Sequence, residues 1–223
     1  MRAAMVVVVI AVCLAGLVQA EEQRRPPREV WNEVFTKRQG RDFPHNRFLA
    51  EVIKGRKPGM ALDIGIGEGR NALFLATEGW EVTGFDISDV AIKLTREAAQ
   101  KRGVKLNALI DDADRFDYGR QRWDLVVGMY MHGVITRNAE KIVDSLKPGG
   151  ILVVEGYHRD VDRQGVQGGP VGYRSNELLQ AFGRLRTLYY EDTVGVADWE
   201  RSGREVPIVR FNAVREHAAN GSR

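Results

Sequence analysis

The chain has 223 residues, 43% hydrophobic and 28% charged, a globular balance with enough apolar residues for one domain with a sizeable core. Its 33 basic against 30 acidic residues leave a net charge of +3. That balance is too even to argue for a nucleic-acid partner or a membrane-binding surface.

Residues 1–20 differ from everything after them. Arg2 precedes an unbroken apolar run, Ala3 to Val18, and Val18-Gln19-Ala20 has the small-residue character of a signal-peptidase site. Cleavage after Ala20 would export the chain to a periplasm or the outside. Retention of the run as an anchor is the second reading, with the rest of the chain in the cytoplasm; the run is marginal for crossing a bilayer. Arg24, Arg25 and Arg28 beyond it outnumber Arg2, which favours that orientation slightly. Membrane contact is expected only through this segment. The single cysteine, Cys13, lies inside it, so a cleaved chain forms no disulfide. Residues 21–45 read as a linker, marked by Pro26-Pro27, and a segment with Trp31, Phe35 and Phe43 that folds over a ligand site or packs beside the core. Residues 46–215 read as one domain and 216–223 as a frayed tail.

From Met60 the chain alternates short apolar strands with helical patterns, the signal for a parallel sheet covered on both faces. Strands are expected at Met60–Ile64, Glu81–Phe85, Leu106–Ile110, Leu125–Met129, Ile151–Glu155, Leu185–Asp192 and Ile208–Val214. Helices are expected at Asn46–Ile53, Asn71–Glu78, Asp89–Arg102 capped by Ser88, Asn138–Leu146, and Asn176–Phe182 capped by Ser175. In the Asp89–Arg102 helix, Val90, Ala91, Leu94 and Ala98 form the expected buried stripe. Gln164–Gly172 is glycine-rich and reads as a loop.

The stretch Met60-Ala-Leu-Asp-Ile-Gly-Ile-Gly-Glu-Gly-Arg-Asn71 carries the strongest signal. A strand ending in Asp63 runs through Gly65, Gly67 and Gly69 into a helix. Such a turn brings a ligand against backbone and a helix N-terminus. The dinucleotide fingerprint is G-x-G-x-x-G; the spacing here is G-x-G-x-G, which disfavours a nicotinamide oxidoreductase. In open α/β sheets ligands lie beyond the carboxyl ends of the strands. Asp86 ends the second strand, where an acid can accept both hydroxyls of a ribose. Asp111, Asp112 and Asp114 follow the third; one acid there could accept an adenine amino group while the Ala113 N–H donates to a ring nitrogen.

Four parts in order, Asp63-Ile-Gly-Ile-Gly-Glu-Gly69, Asp86, Asp112-Ala113 and Leu146-Lys-Pro-Gly-Gly150, resemble the class I S-adenosylmethionine (SAM)-dependent methyltransferases. Gly67-Glu-Gly-Arg-Asn-Ala-Leu-Phe-Leu-Ala76 and Gly79-Trp-Glu-Val-Thr-Gly-Phe-Asp-Ile-Ser88 are similar to the small-molecule enzymes related to tellurite-resistance and thiopurine methyltransferases. The resemblance covers about residues 46–214. It implies a Rossmann-like α/β fold, a seven-stranded, mostly parallel sheet with helices on both faces and an antiparallel last strand. It also implies SAM as cofactor, held at Asp63, Gly65, Gly67, Gly69, Asp86, Ile87, Asp112, Ala113 and Met129, with Asp63 facing the cationic methionine end. Enzymes that methylate amino groups of nucleic acids carry Asn/Asp-Pro-Pro-aromatic after the fourth strand. Here that place reads Gly128-Met-Tyr-Met-His132, so the expected acceptor is a small molecule and no nucleic acid. Candidate catalytic residues are Tyr130, His132 and His158, beside Glu155 and Tyr157. No spacing resembles a metal-ligand set, and no metal is expected. Trp199, in Ala197-Asp-Trp-Glu-Arg-Ser-Gly203, closes the pocket or simply packs. A noncatalytic SAM- or adenosine-binding module of an exported protein is the rival reading. The oligomeric state is left open.

Overall fold

A computed structural model of the chain describes residues 25–39, 43–164, 172–198 and 203–217. The expected leader with Cys13, most of the Gln164–Gly172 loop, Trp199 and the end of the expected tail lie outside the described residues.

Seven strands form one sheet in the order β3-β2-β1-β4-β5-β7-β6. They are β1 Met60–Ile64, β2 Glu81–Asp86, β3 Asn107–Ile110, β4 Trp123–Met129, β5 Leu146–Tyr157, β6 Arg186–Val196 and β7 Glu205–Val214. β1 to β5 pair in parallel, and β7 runs antiparallel to both β5 and β6. The expected parallel sheet with its antiparallel last strand is therefore present. Central strands of such a sheet are buried on both faces and read as continuous apolar runs; Leu125–Val127 and Ile151–Val154 have at most 1% exposure. One core cluster packs around Leu62, Phe85, Val126, Ile142 and Leu152, and another around Ala61, Leu75, Val82, Ile92 and Val127. These neighbours within each strand alternate between the two clusters, as the two-residue period of a strand requires.

The helices are α1 Pro27–Arg38, α2 Arg47–Ile53, α3 Arg70–Thr77, α4 Asp89–Arg102, α5 Val134–Arg137, α6 Ala139–Ser145 and α7 Glu177–Ala181. A 3₁₀ turn, Arg159–Gln164, follows β5. Ser88 Oγ accepts from Ala91 N at 3.1 Å, the expected cap of α4, and Gly103 closes that helix at φ +67°.

Several boundaries differ from expectation. The buried face of α4 is Ala91, Ile92, Thr95 and Ala99. Val90, Leu94 and Ala98 are half-buried, and Leu94 and Ala98 line the cavity that α1 roofs; a second apolar stripe was needed because α4 packs on α1 as well as on the sheet. The expected helix over Asn138–Leu146 is α6, and a further short helix, α5, which was not expected, precedes it and meets it at Asn138. Leu146-Lys-Pro-Gly-Gly150, which precedes the strand expected at Ile151–Glu155, already belongs to β5. Ser175 does not cap α7. Asn176 holds the N-cap place at φ +64° without a side-chain cap, and Ser175 Oγ lies 3.1 Å from His158 Nε2 instead. β6 and β7 run longer than expected because their pairing continues to Val196 and Glu205.

Gly150 is fixed by its surroundings. A Cβ there would lie 2.7 Å from the Trp123 carbonyl oxygen and 2.9 Å from that of Lys147, backbone atoms that cannot swing aside. A Cβ at Gly183 meets only ordinary contacts at 3.7 Å. Gly150→Ala should therefore cost about 1–3 kcal/mol in urea unfolding, and Gly183→Ala less than about 0.5 kcal/mol; equal losses would remove the steric account.

Candidate active site

A cavity of about 1030 Å³ opens at the carboxyl ends of the parallel strands. Strand order reverses between β1 and β4, and there the crevice forms. The turn after β1 forms one wall. Gly65, Gly67 and Gly69 have φ of +70°, +55° and +82°, a region costly for side chains with a Cβ. Ile66 N donates to the Phe85 carbonyl at 2.9 Å, and Thr95 Oγ1 donates to the Gly67 carbonyl at 2.7 Å, so β2 and α4 hold the turn. A Cβ at Gly65 would fall on the Met131 side chain, and one at Gly67 would lie 3.3 Å from the Phe35 ring of α1. Gly69 plays another part. Its missing Cβ makes room for Thr95, it starts α3, and it is not on the cavity wall. The other residues expected to hold the cofactor, Asp63, Gly65, Gly67, Asp86, Ile87, Asp112, Ala113 and Met129, all line the cavity.

Asp63 is the unusual group. It is 2% exposed, and among the described residues its Oδ2 has no hydrogen-bond partner. Burial pushes its pKa up to about 7, with Asp86 adding to the rise and Arg70 and the Ala72 N–H opposing it. An unpartnered carboxylate oxygen sealed at a cavity floor costs free energy until a cation or donor reaches it. Asp86 is also buried, and burial raises its pKa, but its oxygens accept from Gly67 N at 3.1 Å and Ser88 N at 2.9 Å. The acids after β3 divide their tasks. Asp111 accepts from Asp112 N at 2.7 Å and Asp112 from Asp114 N at 2.9 Å. Asp114 is occupied by Arg137 at 2.9 Å and Asn138 at 2.9 Å, which hold its pKa down.

Of the three catalytic candidates, Tyr130 and His132 reach the cavity and His158 does not. Tyr130 sits at φ +60° and donates its hydroxyl to Glu155 Oε1 at 2.8 Å. Burial, and then that carboxylate, raise its pKa above the ordinary phenol range. His132 Nε2 accepts from Tyr157 N at 2.8 Å, and burial pulls its pKa down to about 4. His158 Nδ1 accepts from Asp160 N at 3.1 Å, away from the cavity.

Sequence reasoning missed the polar cluster behind Tyr130. Glu155 is fully buried and accepts from Arg210 Nε at 2.7 Å and Asn46 Nδ2 at 2.8 Å as well as from Tyr130. Asn46 Nδ2 also donates to Asp198, whose pKa rises to about 6 through burial and then through Glu155. Asn46 further caps α2, accepting from Leu49 N at 2.8 Å, and its own N–H donates to Asn71 Oδ1 at 2.8 Å. Asn46 was expected as the first residue of the helix and is its cap, which an Asn at that place could have signalled; nothing local signals its reach to Glu155. The roof was legible only as an aromatic segment. Its tethers are Arg28 Nε to the Ile87 carbonyl at 3.0 Å, Asn32 Nδ2 to Asp89 Oδ1 at 2.8 Å, and Ser88 Oγ to Asn32 Oδ1 at 2.6 Å.

Residues 61–150 match the family described as "Methyltransferase domain". The chain is 32% identical over 127 residues to the ribosomal RNA small subunit methyltransferase C of Alcanivorax borkumensis, covering 49% of this chain and 38% of that one. It is 23% identical over 154 residues to the probable S-adenosyl-L-methionine-dependent methyltransferase TehB of Haemophilus influenzae, covering 66% and 53%. The chain thus spans about half or less of the length of these curated relatives. A solved structure described as "Conversion of a Disulfide Bond into a Thioacetal Group during Echinomycin Biosynthesis" superposes with a TM-score of 0.66 at 21% identity, covering 85% of this chain and 93% of that one, a likeness of fold.

Asp63 sets a pH dependence of stability. A carboxyl whose folded-state pKa is raised destabilises the fold once it ionises. The cost is absent below the ordinary value of 3.8, grows as pH rises to about 7, and is constant above. Asp63→Asn should therefore raise the urea-unfolding free energy at pH 8 by up to roughly 4 kcal/mol, and by a smaller amount at pH 5. A gain independent of pH would show that the carboxyl is already neutral or partnered.

Proposed function

We propose that this chain is a class I SAM-dependent methyltransferase that transfers a methyl group from SAM to a small-molecule acceptor by direct displacement. The observation that carries the reading is the buried, unpartnered Asp63 carboxylate beside the glycine turn. It suits the cationic methionine end of SAM, and no described residue hydrogen-bonds that oxygen. Gly65 and Gly67 let a ligand approach the backbone. Asp86, whose oxygens keep lone pairs beyond those given to Gly67 and Ser88, would take the ribose hydroxyls. Asp112 and Ala113 would take the adenine edge. These residues stand at the ends of β1, β2 and β3, and they leave the cavity beyond β4 and β5 for an acceptor.

When bound, SAM supplies an electrophilic methyl group on a sulfonium, so the chain's task is to bind, exclude water and align. Alignment of this kind is worth up to roughly 7–11 kcal/mol of barrier. Phe35 and Trp31 of α1 cover the cavity from outside. Tyr130, tied to Glu155, shapes the wall. The Alcanivorax relative is named for ribosomal RNA, but a cavity roofed by a helix favours a small acceptor here. A noncatalytic binding module would have no use for the second half of the cavity, which supports the transferase over that rival.

Residues 1–20 would direct export or remain as an anchor. N-terminal sequencing of protein from fractionated cells distinguishes the two: a periplasmic or secreted chain beginning at Glu21 supports export, and a full-length membrane chain shielded from external protease supports the anchor.

S-adenosylhomocysteine should raise the melting temperature by mass action, whereas NAD should not. Asp63→Asn should weaken S-adenosylhomocysteine binding by about tenfold or more. Incubation with methyl-labelled SAM and a metabolite extract, read by mass spectrometry, should give a labelled small molecule. Equal thermal shifts from both ligands would sink the cofactor assignment.

A further inference from the structure

The acceptor half of the cavity contains a histidine whose hydrogen-bonding roles are dictated by its neighbour. His132 Nε2 stands 2.8 Å from the Tyr157 backbone nitrogen. A backbone N–H can only donate, so Nε2 holds the lone pair, and the proton of the neutral ring sits on Nδ1. The ring's place is built. A Cβ at Gly156 would lie 2.5 Å from His132 Nε2 and 2.7 Å from Tyr173 Cε2, so the glycine makes room for both rings. The imidazole stacks on Tyr157 at 5.9 Å and 13°, with Tyr173 at 5.0 Å and the Tyr130 edge at 6.1 Å. The titratable groups facing it are thus the three phenols of the β4 end, the β5 end and the segment before α7. Burial alone lowers its pKa to about 4, with no charged neighbour contributing.

Nδ1 is the free end. Among the described residues, the sealed side-chain atoms without partners are Asp63 Oδ2, Tyr173 Oη and Asn212 Oδ1, and Nδ1 is not one of them. No described residue accepts from it, so it opens on the cavity that His132 lines. The neighbouring groups that could serve as bases are engaged. The Tyr130 hydroxyl donates to Glu155, Glu177 accepts from Arg174 N at 2.9 Å, and Asp114 is paired with Arg137. On the same wall Arg159 gives only its Nε, at 3.4 Å, to the Gly172 carbonyl. That wall offers a neutral donor and a cation.

Resting on the methyltransferase reading above, we propose that His132 selects the acceptor by donating Nδ1–H to one of its oxygens, and that the acceptor is a small conjugated oxyanion, a phenolate or enolate with a second oxygen beside the methylated one, that arrives already ionised. His132 is then no general base. The acceptor's lone pair forms the bond to the methyl carbon. The carbon–sulfur bond breaks with its electron pair going to sulfur, the sulfonium becomes a thioether, and the oxyanion becomes a neutral ether. No proton crosses the protein.

The test uses nitrogen-15 NMR of labelled histidine and the binding of 4-nitrocatechol, an ionisable chromophoric phenol with an adjacent oxygen. His132 should remain neutral with its proton on Nδ1 from pH 5.5 to pH 8; protonation on Nε2, or titration near the ordinary histidine value, overturns the proposal. In protein saturated with S-adenosylhomocysteine, 4-nitrocatechol binding should strengthen as the probe ionises. His132→Gln keeps an oxygen for Tyr157 N but no donor at the Nδ1 place, and should weaken the probe by about tenfold or more. His132→Asn keeps that donor and should stay within about threefold of wild type. Unaltered probe binding by the Gln variant, or none by the saturated wild type, overturns the acceptor class. Absence of S-adenosylhomocysteine binding would instead overturn the function proposed above, and the tautomer result would be unaffected by it.

Discussion

Burying Glu155 obliges the chain to bring partners to it. A carboxylate with no exposure, at the end of a central strand, costs several kcal/mol unless it is paired and hydrogen-bonded. Three elements answer. Arg210 comes from β7, Asn46 from the start of α2 and Tyr130 from the end of β4. Each brings a piece of the site's surroundings with it. Arg210 ties in Glu191 at 2.9 Å and so the β6–β7 hairpin; Asn46 ties in Asn71 and the α3 start; Tyr130 takes a positive φ and sets the course of the chain through Met131 and His132. The antiparallel strand between β5 and β6 is thus more than a way to finish a sheet, since it delivers the counter-charge that lets β5 end in an acid.

The two acids on the other side of the switch point illustrate the opposite solution. Asp86 is satisfied by backbone N–H groups and can keep its place without help. Asp63 keeps one oxygen unsatisfied. A site that stores such a cost is expected to recover it on ligand binding, and natural chains accept reduced stability at functional positions for that reason. The pairing of a satisfied acid and an unsatisfied one, a few residues apart in space and both buried, separates the part that shapes the turn from the part that meets charge.

Much of this was legible in the sequence because it is local. The strand–glycine–helix turn, Ser88 before α4, Gly103 after it, and the alternation of strands with helices all depend on residues within a few positions of one another. What escaped was non-local. Asn46 and Glu155 are separated by 109 positions, and no periodicity links them. The rotated face of α4 escaped because a helix packed on two partners has two apolar stripes, and composition cannot say which meets the sheet. Gly69 resembled its neighbours in spacing but serves Thr95 and α3 rather than the cavity. His132 was legible as a candidate base; the bond that occupies its lone pair comes from the Tyr157 backbone, which every residue type except proline could supply.

The shallow anchorage of α1 has a consequence for exchange between bound and free states. Of its side chains only that of Phe35 is buried, while Val30 is 40% and Trp31 45% exposed. Among the described residues, polar bonds join it to the short stretch Ile87–Asp89. Regions with few buried contacts open at a small fraction of the global unfolding free energy. The helix is therefore expected to open as a unit while the sheet and the Glu155 cluster stay formed. Residence time in the cavity is then expected to follow this local opening, and changes that stabilise the core would leave it untouched.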